Sequence, residues 1–313
     1  FSQLKSKRQL KSILKGLQID EVLAQDILNN QLSSNTFSAL RIARQVTDIA
    51  RKTNAKFIVT TYEGHAWERL VFCYARQLNP NIKCLSYQHA AVFKHQHSIK
   101  RPLNKKYNPD IILTSGLIGK DIFKQGQLQG TAVSCIGSPK HSDSSLVKDK
   151  NQCCLVIPEV FVRECLSLFD LSIDYAKKNL NQRFIWRLHP GMSFDKLKSQ
   201  SSILKNFPNN IHLSIGSLDD DIQRCDSVLY RGSTAVVNAI NAGLKPIYYQ
   251  QSSDELSIDP IYTHKKGKSI VCNPEELGLA LDRDIDVKTM QSLHNFAQDF
   301  YTPLDANAML EML

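Results

Sequence analysis

The chain has 313 residues, of which 42% are hydrophobic and 22% are charged, so it suits a globular protein of two domains, each of about 150 residues. No apolar run reaches the roughly 20 residues that a membrane-spanning helix needs, and no signal peptide is visible after Phe1. We therefore expect a soluble, cytoplasmic protein.

The formal net charge of +9 indicates an acidic partner: nucleic acid, an anionic membrane surface or a small molecule. The sequence lacks an aromatic RNA-binding motif, a zinc finger and a recognition helix, so nucleic acid is not expected. Basic residues concentrate in residues 1–15 and 94–106, which keeps peripheral contact with an anionic inner membrane as an open alternative. Eight cysteines without a CxxC pair predict reduced core thiols rather than a zinc site.

Apolar periodicity predicts helices in residues 4–17, 19–28 and 37–50. From residue 56 the pattern changes to short β-branched and apolar runs, which are typical of buried parallel strands. These strands are predicted at residues 56–61, 82–87, 110–114 and 131–136. Helices are predicted between them, at residues 66–78 and 115–125. Strands and helices that alternate at this spacing predict a parallel sheet covered by helices on both faces.

A polar stretch at residues 138–151 is the best linker candidate, and the same pattern restarts after it. The second set of strands is predicted at residues 153–157, 184–188, 211–214, 226–230, 244–249 and 269–272. Its helices are predicted at residues 160–179, 274–281 and 287–300. We expect two Rossmann-like α/β domains, residues 1–140 and 152–313, facing each other across a cleft, with the last helix packing back on the first domain.

The most informative stretch is a predicted strand, turn and helix that ends at Gly243. Its turn holds Arg231, Gly232, Ser233 and Thr234. Gly232 permits a tight turn, and the hydroxyl of Ser233 or Thr234 can cap the helix. Open N–H groups beside a cationic side chain suit a phosphate, although an ordinary strand–turn–helix unit explains the same residues.

Two other strand ends carry polar side chains. Glu63, beside Gly64 and His65, has the carboxylate that a general base needs, or it stabilises the dipole of the following helix. His189 follows Arg187 by two residues and precedes Pro190, which fixes the direction of the backbone. This pair of cationic side chains favours an anion site, and a structural histidine is the alternative.

Taken in chain order on two α/β domains, three short motifs resemble those of the bacterial sialyltransferases and the related Kdo transferases, which have the GT-B fold. The motifs are Glu63-Gly64, His189-Pro190 and Ser233-Thr234. The resemblance implies a glycosyltransferase that moves a nonulosonate, a sialic-acid-like sugar or Kdo, from a CMP donor to a surface glycan or glycolipid.

In that family pattern the carboxylate is the general base, and the histidine acts on the donor phosphate. The resemblance therefore assigns Glu63 as the base, His189 as the partner of the phosphate, and the Ser233-Thr234 hydroxyls as its ligands. A single base favours direct displacement with inversion, whereas the retaining alternative needs a carboxylate nucleophile near the anomeric carbon.

Other polar residues at the strand ends are assigned by position. Further donor contacts are expected from Gly137, Ser138, Glu159, Arg187, Pro190, Arg231 and Gly232. Contacts with the acceptor or the sugar carboxylate are expected from Gly64, His65, Gln88 and His89. Residues 93–107 form a basic segment that either holds a carboxylate or is a mobile, solvated loop. Arg69 is expected in a surface ion pair.

Neither a metal nor a cofactor is expected, and the nucleotide sugar is the donor substrate. Asp219, Asp220 and Asp221 have the spacing of a metal-binding acidic motif, but they open a predicted helix and favour an acidic cap. A single phosphate can be neutralised by histidine, arginine and backbone N–H groups.

Two alternatives stay open. Glu159 and the Arg231 turn also suit the ribose and diphosphate of a UDP-type donor on the same GT-B fold. A non-catalytic two-domain binding protein is the other reading. A serine hydrolase is not expected because the sequence has no GxSxG motif.

Overall fold

The computed structural model of the chain describes residues 2–16, 20–30, 33–101, 103–126, 128, 130–143 and 152–311. Within these residues the strands form two separate parallel sheets, and every predicted strand is present within two residues of its predicted bounds. The prediction of two parallel α/β domains is confirmed. No helix in the described ranges is long and apolar enough to cross a bilayer.

A helical leader precedes the first sheet. It consists of α1 (Ser2–Gly16), α2 (Glu21–Asn30) and α3 (Ser34–Lys52). α3 begins where the Ser33 hydroxyl accepts the Thr36 N–H at 3.2 Å, and it packs on α4 (Ala66–Leu78). This packing joins the leader to the first sheet.

The first two helices of the leader are less well packed. Among their described side chains, Leu14 and Leu28 are buried, while Ile13, Val22 and Leu23 are exposed. Contact of this region with an anionic membrane stays a prediction, which co-sedimentation with anionic vesicles would test.

The first sheet has the strand order β1-β2-β3-β4, and neighbouring strands are parallel. The strands are β1 (Phe57–Thr61), β2 (Lys83–Gln88), β3 (Ile111–Thr114) and β4 (Ala132–Cys135). They are connected by α4, α5 (His97–Lys100), the 3₁₀ turn Lys105–Tyr107 and α6 (Leu117–Gly126). Phe72, Ile112 and Phe123 form part of the buried core beside this sheet, and Trp67 packs against it partly buried.

The second sheet has the order β10-β9-β8-β5-β6-β7 and is also parallel. The strands are β5 (Cys153–Ile157), β6 (Arg183–Trp186), β7 (Ile211–Leu213), β8 (Ser227–Tyr230), β9 (Lys245–Tyr249) and β10 (Ser269–Val271). The helices are α7 (Val162–Lys178), α8 (Phe194–Gln200), α9 (Leu218–Gln223), α10 (Ala235–Asn241), α11 (Pro274–Asp282), α12 (Val287–Phe300) and α13 (Ala306–Glu311), with a 3₁₀ turn at Ser202–Lys205. The predictions did not include α5, α8 or α13.

All five residues of the central strand β5 are buried. Alternate residues face opposite sides: Leu155 packs with the side chains of α10 and α12, and Val156 packs with those of α7. In the α7 layer the fully buried Trp186 stacks on Phe169 with ring centroids 4.0 Å apart, and its Nε1 donates to Ser172 Oγ at 3.0 Å. Burial on both faces explains why β5 reads as a continuous apolar run.

The end of the chain returns to the first sheet through main-chain hydrogen bonds. Thr302 donates its N–H to the Ser115 carbonyl at 3.2 Å, and its own carbonyl accepts the Ser138 N–H at 2.9 Å. Asp305 N–H donates to the Ile136 carbonyl at 2.8 Å. These bonds attach the segment after α12 to the carboxyl ends of β3 and β4.

Loops that follow strands of each sheet pack against the other domain. Ala91, which follows β2, is part of the core formed by α10 and α12. In the other direction, Tyr262 of the loop after β9 packs against the core of the first sheet. His89, two residues before Ala91, therefore lies next to the boundary between the two domains.

Glycine is required where the returning segment meets the first sheet. Gly137 has φ +81°, and a Cβ there would lie 1.9 Å from the Pro303 carbonyl oxygen. We expect Gly137→Ala to lower the free energy of unfolding by about 2–4 kcal/mol, because both the backbone strain and the overlap must be relieved. Urea unfolding followed by circular dichroism measures this loss.

Gly16→Ala is the control for this change. Among the described residues, no atom outside its own helix backbone and its chain neighbours lies within 4 Å of a Cβ at Gly16, so the effect of this substitution should stay below about 1 kcal/mol. If the two variants unfold at the same urea concentration, the close contact at Gly137 is not a determinant of stability.

Candidate functional site

The Glu63 turn leaves the carboxyl end of β1 and leads into α4. Gly64 has φ +82°, and a Cβ at this position would lie 2.6 Å from the Ile99 nitrogen, so only glycine fits without a shift of the backbone. The turn therefore places Glu63 and His65 on either side of an obligatory glycine.

Two imidazoles meet the Glu63 carboxylate. His89 Nε2 lies 3.2 Å from Oε1, and His65 Nε2 lies 3.3 Å from Oε2. The Glu63 side chain keeps 32% of its surface exposed, so a substrate hydroxyl can still reach it. The structure thus brings together a predicted base and two of the predicted acceptor residues, although they come from two different strand ends.

A residue that the sequence interpretation missed holds this turn. The buried Glu68 carboxylate accepts the N–H groups of Glu63 at 3.1 Å, Gly64 at 2.9 Å and His65 at 2.9 Å. The Thr61 hydroxyl also donates to it, at 3.2 Å. Glu68 stands three residues after His65, which is the spacing of a capping box, and that spacing was a signal for its role.

The basic segment after β2 contacts the same turn through Gln96 and Ile99, whereas the side chains of Lys94, His97, Ser98 and Arg101 are exposed. Gln96 Nε2 donates to the Glu63 carbonyl at 3.2 Å, and Ile99 is buried against Gly64.

Arg69 does not form the expected surface ion pair. It is buried, it donates to Asn108 Oδ1 at 2.7 Å, and its guanidinium lies 5.0 Å from the centre of the Tyr62 ring. Burial raises the pKa of Tyr62 to about 12, and the Arg69 charge opposes this rise.

Gln88 is placed differently from the expectation. It is buried, its amide nitrogen donates to the Ala90 carbonyl, and its Oε1 accepts from the Ser115 N–H and hydroxyl at 3.5 Å. Gln88 therefore stabilises the loop that carries His89, and its side chain is not positioned to bind a sugar.

His189 extends from the carboxyl end of β6 and is exposed, as is Pro190 after it. The Gly191 N–H donates to His189 Nδ1 at 3.0 Å. In the neutral ring this leaves the proton on Nε2, so the imidazole can donate a hydrogen bond to an anion in the cleft.

Glu159 lies beside this histidine at the end of β5. A Cβ on Gly232 would come within 2.8 Å of Glu159 Cγ, so Gly232 makes room for the glutamate side chain. Burial raises the pKa of the Glu159 carboxyl, and the nearby His189 opposes this rise. Glu159, His189 and Gly232 thus form one group at the edge of the second sheet.

The two arginines expected to bind the donor phosphate are already paired. Arg231 is buried, and its terminal nitrogens bind the carboxylates of Glu164 and Glu255. Arg187 Nη1 donates to Asp221 Oδ2 at 2.9 Å and to the Gly216 carbonyl at 2.9 Å. Each arginine anchors a loop beside the site, so neither is a free cation for a phosphate.

The acidic run after β7 caps a helix, as predicted. Ser217 is the N-cap of α9, and Asp220 Oδ2 accepts the Ser217 N–H at 2.9 Å. In the described part of the chain no group of three or more acidic, histidine or cysteine side chains is arranged to hold a metal ion.

Gly137 and Ser138 do not line a donor site. The Ser138 N–H is bonded to Thr302, Ser138 is buried, and Gly137 packs against Pro303. The end of β4 is therefore covered by the returning chain, which sequence periodicity cannot reveal.

The Ser233-Thr234 turn is partly buried, with Thr234 as the N-cap of α10. Within the described residues the Thr234 side chain accepts no N–H from the first turn of α10, so the expected capping hydrogen bond is not formed. Its hydroxyl instead lies by the phenol of Tyr301, whose pKa is raised to about 12 by burial. Gly243 follows α10 with φ +94°, as expected of a residue that ends a helix.

A polar cavity of about 880 Å³ lies at the opposite, amino-terminal edge of the second sheet. Gln152, Lys178, Asp226 and Lys245 are among its lining residues. Ligands of parallel α/β sheets bind at the carboxyl ends of the strands, so we place the candidate site at the Glu63 and His189 edges instead.

Comparison with solved structures identifies the fold. The chain is similar to the glycosyltransferase SnogD from Streptomyces nogalater, with 14% identity and a TM-score of 0.56 over 90% of this chain and 80% of that one. The calicheamicin glycosyltransferase CalG4 is 14% identical, with a TM-score of 0.56 over 92% and 80% of the two chains. The UDP-N-acetylglucosamine 2-epimerase from Rickettsia bellii is 13% identical, with a TM-score of 0.57 over 90% and 79%.

At these identities the likeness shows the fold alone, which is the GT-B fold of two facing α/β domains. No protein-family model matches the sequence, and no curated protein does. The expected GT-B architecture is confirmed, whereas the likeness to CMP-dependent sialyltransferases and Kdo transferases is not.

Glu159 predicts a pH dependence of stability. Because the pKa of its carboxyl is raised in the folded protein, ionisation costs stability as the pH rises above the ordinary value of 4.5. We expect Glu159→Gln to raise Tm at about pH 7.5, and the gain to shrink toward about pH 4. Thermal unfolding of the ligand-free protein across this range tests the expectation.

Glu276→Gln is the control, and its effect on Tm at neutral pH should have the opposite sign. The Glu276 carboxylate accepts the Cys272 N–H at 2.8 Å, which lowers its pKa. Its replacement should lower Tm at about pH 7.5, with little effect at about pH 4. If both variants have a lower Tm than the wild-type protein at neutral pH, burial of the Glu159 carboxylate does not destabilise the folded state.

Proposed function

We propose that the protein is a glycosyltransferase that moves a sugar from a nucleotide donor at the edge of the second sheet to an acceptor hydroxyl at the Glu63 turn. The observation that carries the proposal is the Glu63 carboxylate, which is accessible and flanked by His65 and His89 next to the boundary between the two domains. The acceptor is a glycan or glycolipid hydroxyl.

In the proposed step Glu63 takes the proton of the acceptor hydroxyl, whose oxygen attacks the anomeric carbon of the donor. The bond between that carbon and the donor phosphate breaks, and its electron pair stays on the phosphate oxygen. His189 Nε2–H donates a hydrogen bond to the phosphate as its charge increases. A single displacement of this kind inverts the anomeric configuration.

A UDP-type donor is favoured over the CMP donor that the sequence motifs suggest. Several solved proteins of similar fold are named for UDP-sugars, which gives this donor class the stronger support. The Glu159 carboxylate, half-buried beside Gly232, has the acceptor oxygens that ribose hydroxyls need.

One observation keeps the CMP-nonulosonate donor as a second candidate. Arg187 and Arg231 are both bound to carboxylates, so neither supplies the extra cation that a diphosphate would favour. His189 and the hydroxyls of Ser233 and Thr234 can stabilise a single phosphate.

A panel of nucleotides tests the donor class. We expect UDP to raise Tm more than CMP or AMP at equal concentration, because only the nucleotide that fits the site stabilises the folded state. His189→Ala should reduce this rise. Greater protection by CMP would overturn the UDP assignment, and no protection by any nucleotide would favour a non-catalytic binding protein.

Replacement of the base tests the chemistry. We expect Glu63→Gln to reduce sugar transfer by about 10²–10⁴-fold, because the amide cannot accept the proton, while nucleotide affinity stays within about twofold. Product formation is measured by mass spectrometry with UDP-N-acetylglucosamine and CMP-N-acetylneuraminate as donors. Glu275→Gln, at an exposed glutamate of α11, is the control and should retain full transfer. Wild-type transfer by Glu63→Gln would rule out Glu63 as the base.

A further inference from the structure

We infer that Glu68 is the positioning residue of the Glu63 turn, setting the direction of the base through three main-chain hydrogen bonds rather than by contact with substrate. The inference rests on the proposed function, since it concerns the same site. It names a residue that has no role in the motifs by which that function was recognised.

The first support is the convergence of donors on one carboxylate. Glu68 Oε2 accepts from Gly64 and His65, both at 2.9 Å, and the Glu63 N–H lies 3.1 Å from each oxygen. Charge-assisted bonds of this kind are about twice as strong as those between neutral groups. The backbone of the base and of His65 is therefore fixed to a single buried group.

The second support is the position of Glu68 itself. It lies in the first turn of α4, is fully buried, and its Oε1 also accepts the Thr61 hydroxyl at 3.2 Å. A residue on a packed helix moves little, so the Glu68 carboxylate holds the Glu63 turn in a fixed position. Burial raises the pKa of Glu68, and its hydrogen bonds to the turn oppose this rise.

The third support is the opposite side of the turn. Gln96 Nε2 donates to the Glu63 carbonyl at 3.2 Å, and the backbone of residues 98–99 lies against Gly64. The turn is thus held between Glu68 on the helix side and the segment after β2 on the other. Removal of one of these supports should let the Glu63 carboxylate shift relative to His65 and His89.

Two conservative variants distinguish the effect of the length of the Glu68 side chain from the effect of its charge. Glu68→Asp keeps the charge but withdraws the carboxylate by one methylene, so it cannot accept all three N–H groups. Glu68→Gln keeps the reach, and its one carbonyl oxygen can still accept at the Oε2 position. We expect Glu68→Asp to lower kcat by about 100-fold with the donor KM unchanged, since a shift of about 1 Å at a reacting group costs that much. Glu68→Gln should stay within about tenfold of wild type.

The rates are measured with UDP-N-acetylglucosamine or CMP-N-acetylneuraminate, whichever the wild-type protein turns over faster. Amide hydrogen exchange of Gly64 and His65 gives a second readout, and it should accelerate in Glu68→Asp but not in Glu68→Gln. Glu276→Asp shortens by one methylene a carboxylate of α11 that accepts the Cys272 N–H, and it should retain wild-type kcat.

A kcat within twofold of wild type for Glu68→Asp, or a larger loss in Glu68→Gln than in Glu68→Asp, would overturn the positioning role. If Glu63→Gln is inactive in the same assay, that result leaves the proposed function intact. If Glu63→Gln is active, the proposed function fails before Glu68 is considered.

Discussion

The arrangement of the two domains depends on main-chain hydrogen bonds between the end of the chain and the first sheet. Thr302 is bonded to Ser115 and Ser138, and Gly137 allows the backbones to approach this closely. Because these bonds lie at the carboxyl ends of β3 and β4, they hold that edge of the first sheet toward the second. The proposed reaction requires this geometry, since the base and the donor phosphate belong to different sheets.

The net charge is +9, yet the arginines beside the candidate site are not available to bind an anion. Beside the candidate site, Arg187 and Arg231 form ion pairs with carboxylates, and these ion pairs fix the loops after β7 and β9. Without its carboxylate partners, a buried arginine would be an unpaired charge, which destabilises the folded protein. These ion pairs therefore stabilise the loops of the cleft and do not bind the ligand. Beside the candidate site the imidazoles of His65 and His89 contact Glu63, and His189 is exposed, so these side chains rather than the paired arginines are available to a ligand.

The strands were predicted well because each is a short apolar run bounded by polar residues, and such a pattern depends only on local sequence. The Glu63 turn and its glycine were also visible. Ser138 and Arg69 were misassigned because their partners Thr302 and Asn108 lie far away in the chain, and periodicity carries no information on such contacts. Gln88 was misassigned because it bonds both to Ser115, 27 residues away, and to the main chain of its own loop. Glu68 was missed although its spacing from His65 is that of a capping box, because only the main-chain N–H groups of the turn, and not another motif, show which residues it holds. Two-residue motifs likewise cannot distinguish UDP from CMP, which differ in the base and in the number of phosphates.

The positions of the aromatic residues also have a spectroscopic consequence. The chain has two tryptophans, and each packs with a different sheet: Trp67 partly buried beside the first, and Trp186 fully buried in a ring stack within the second. An indole stacked on Phe169 and hydrogen-bonded to Ser172 sits in an apolar, rigid environment, whereas the other is partly in water. The emission of the two indoles should therefore differ in wavelength, so intrinsic fluorescence can distinguish the unfolding of one domain from that of the other.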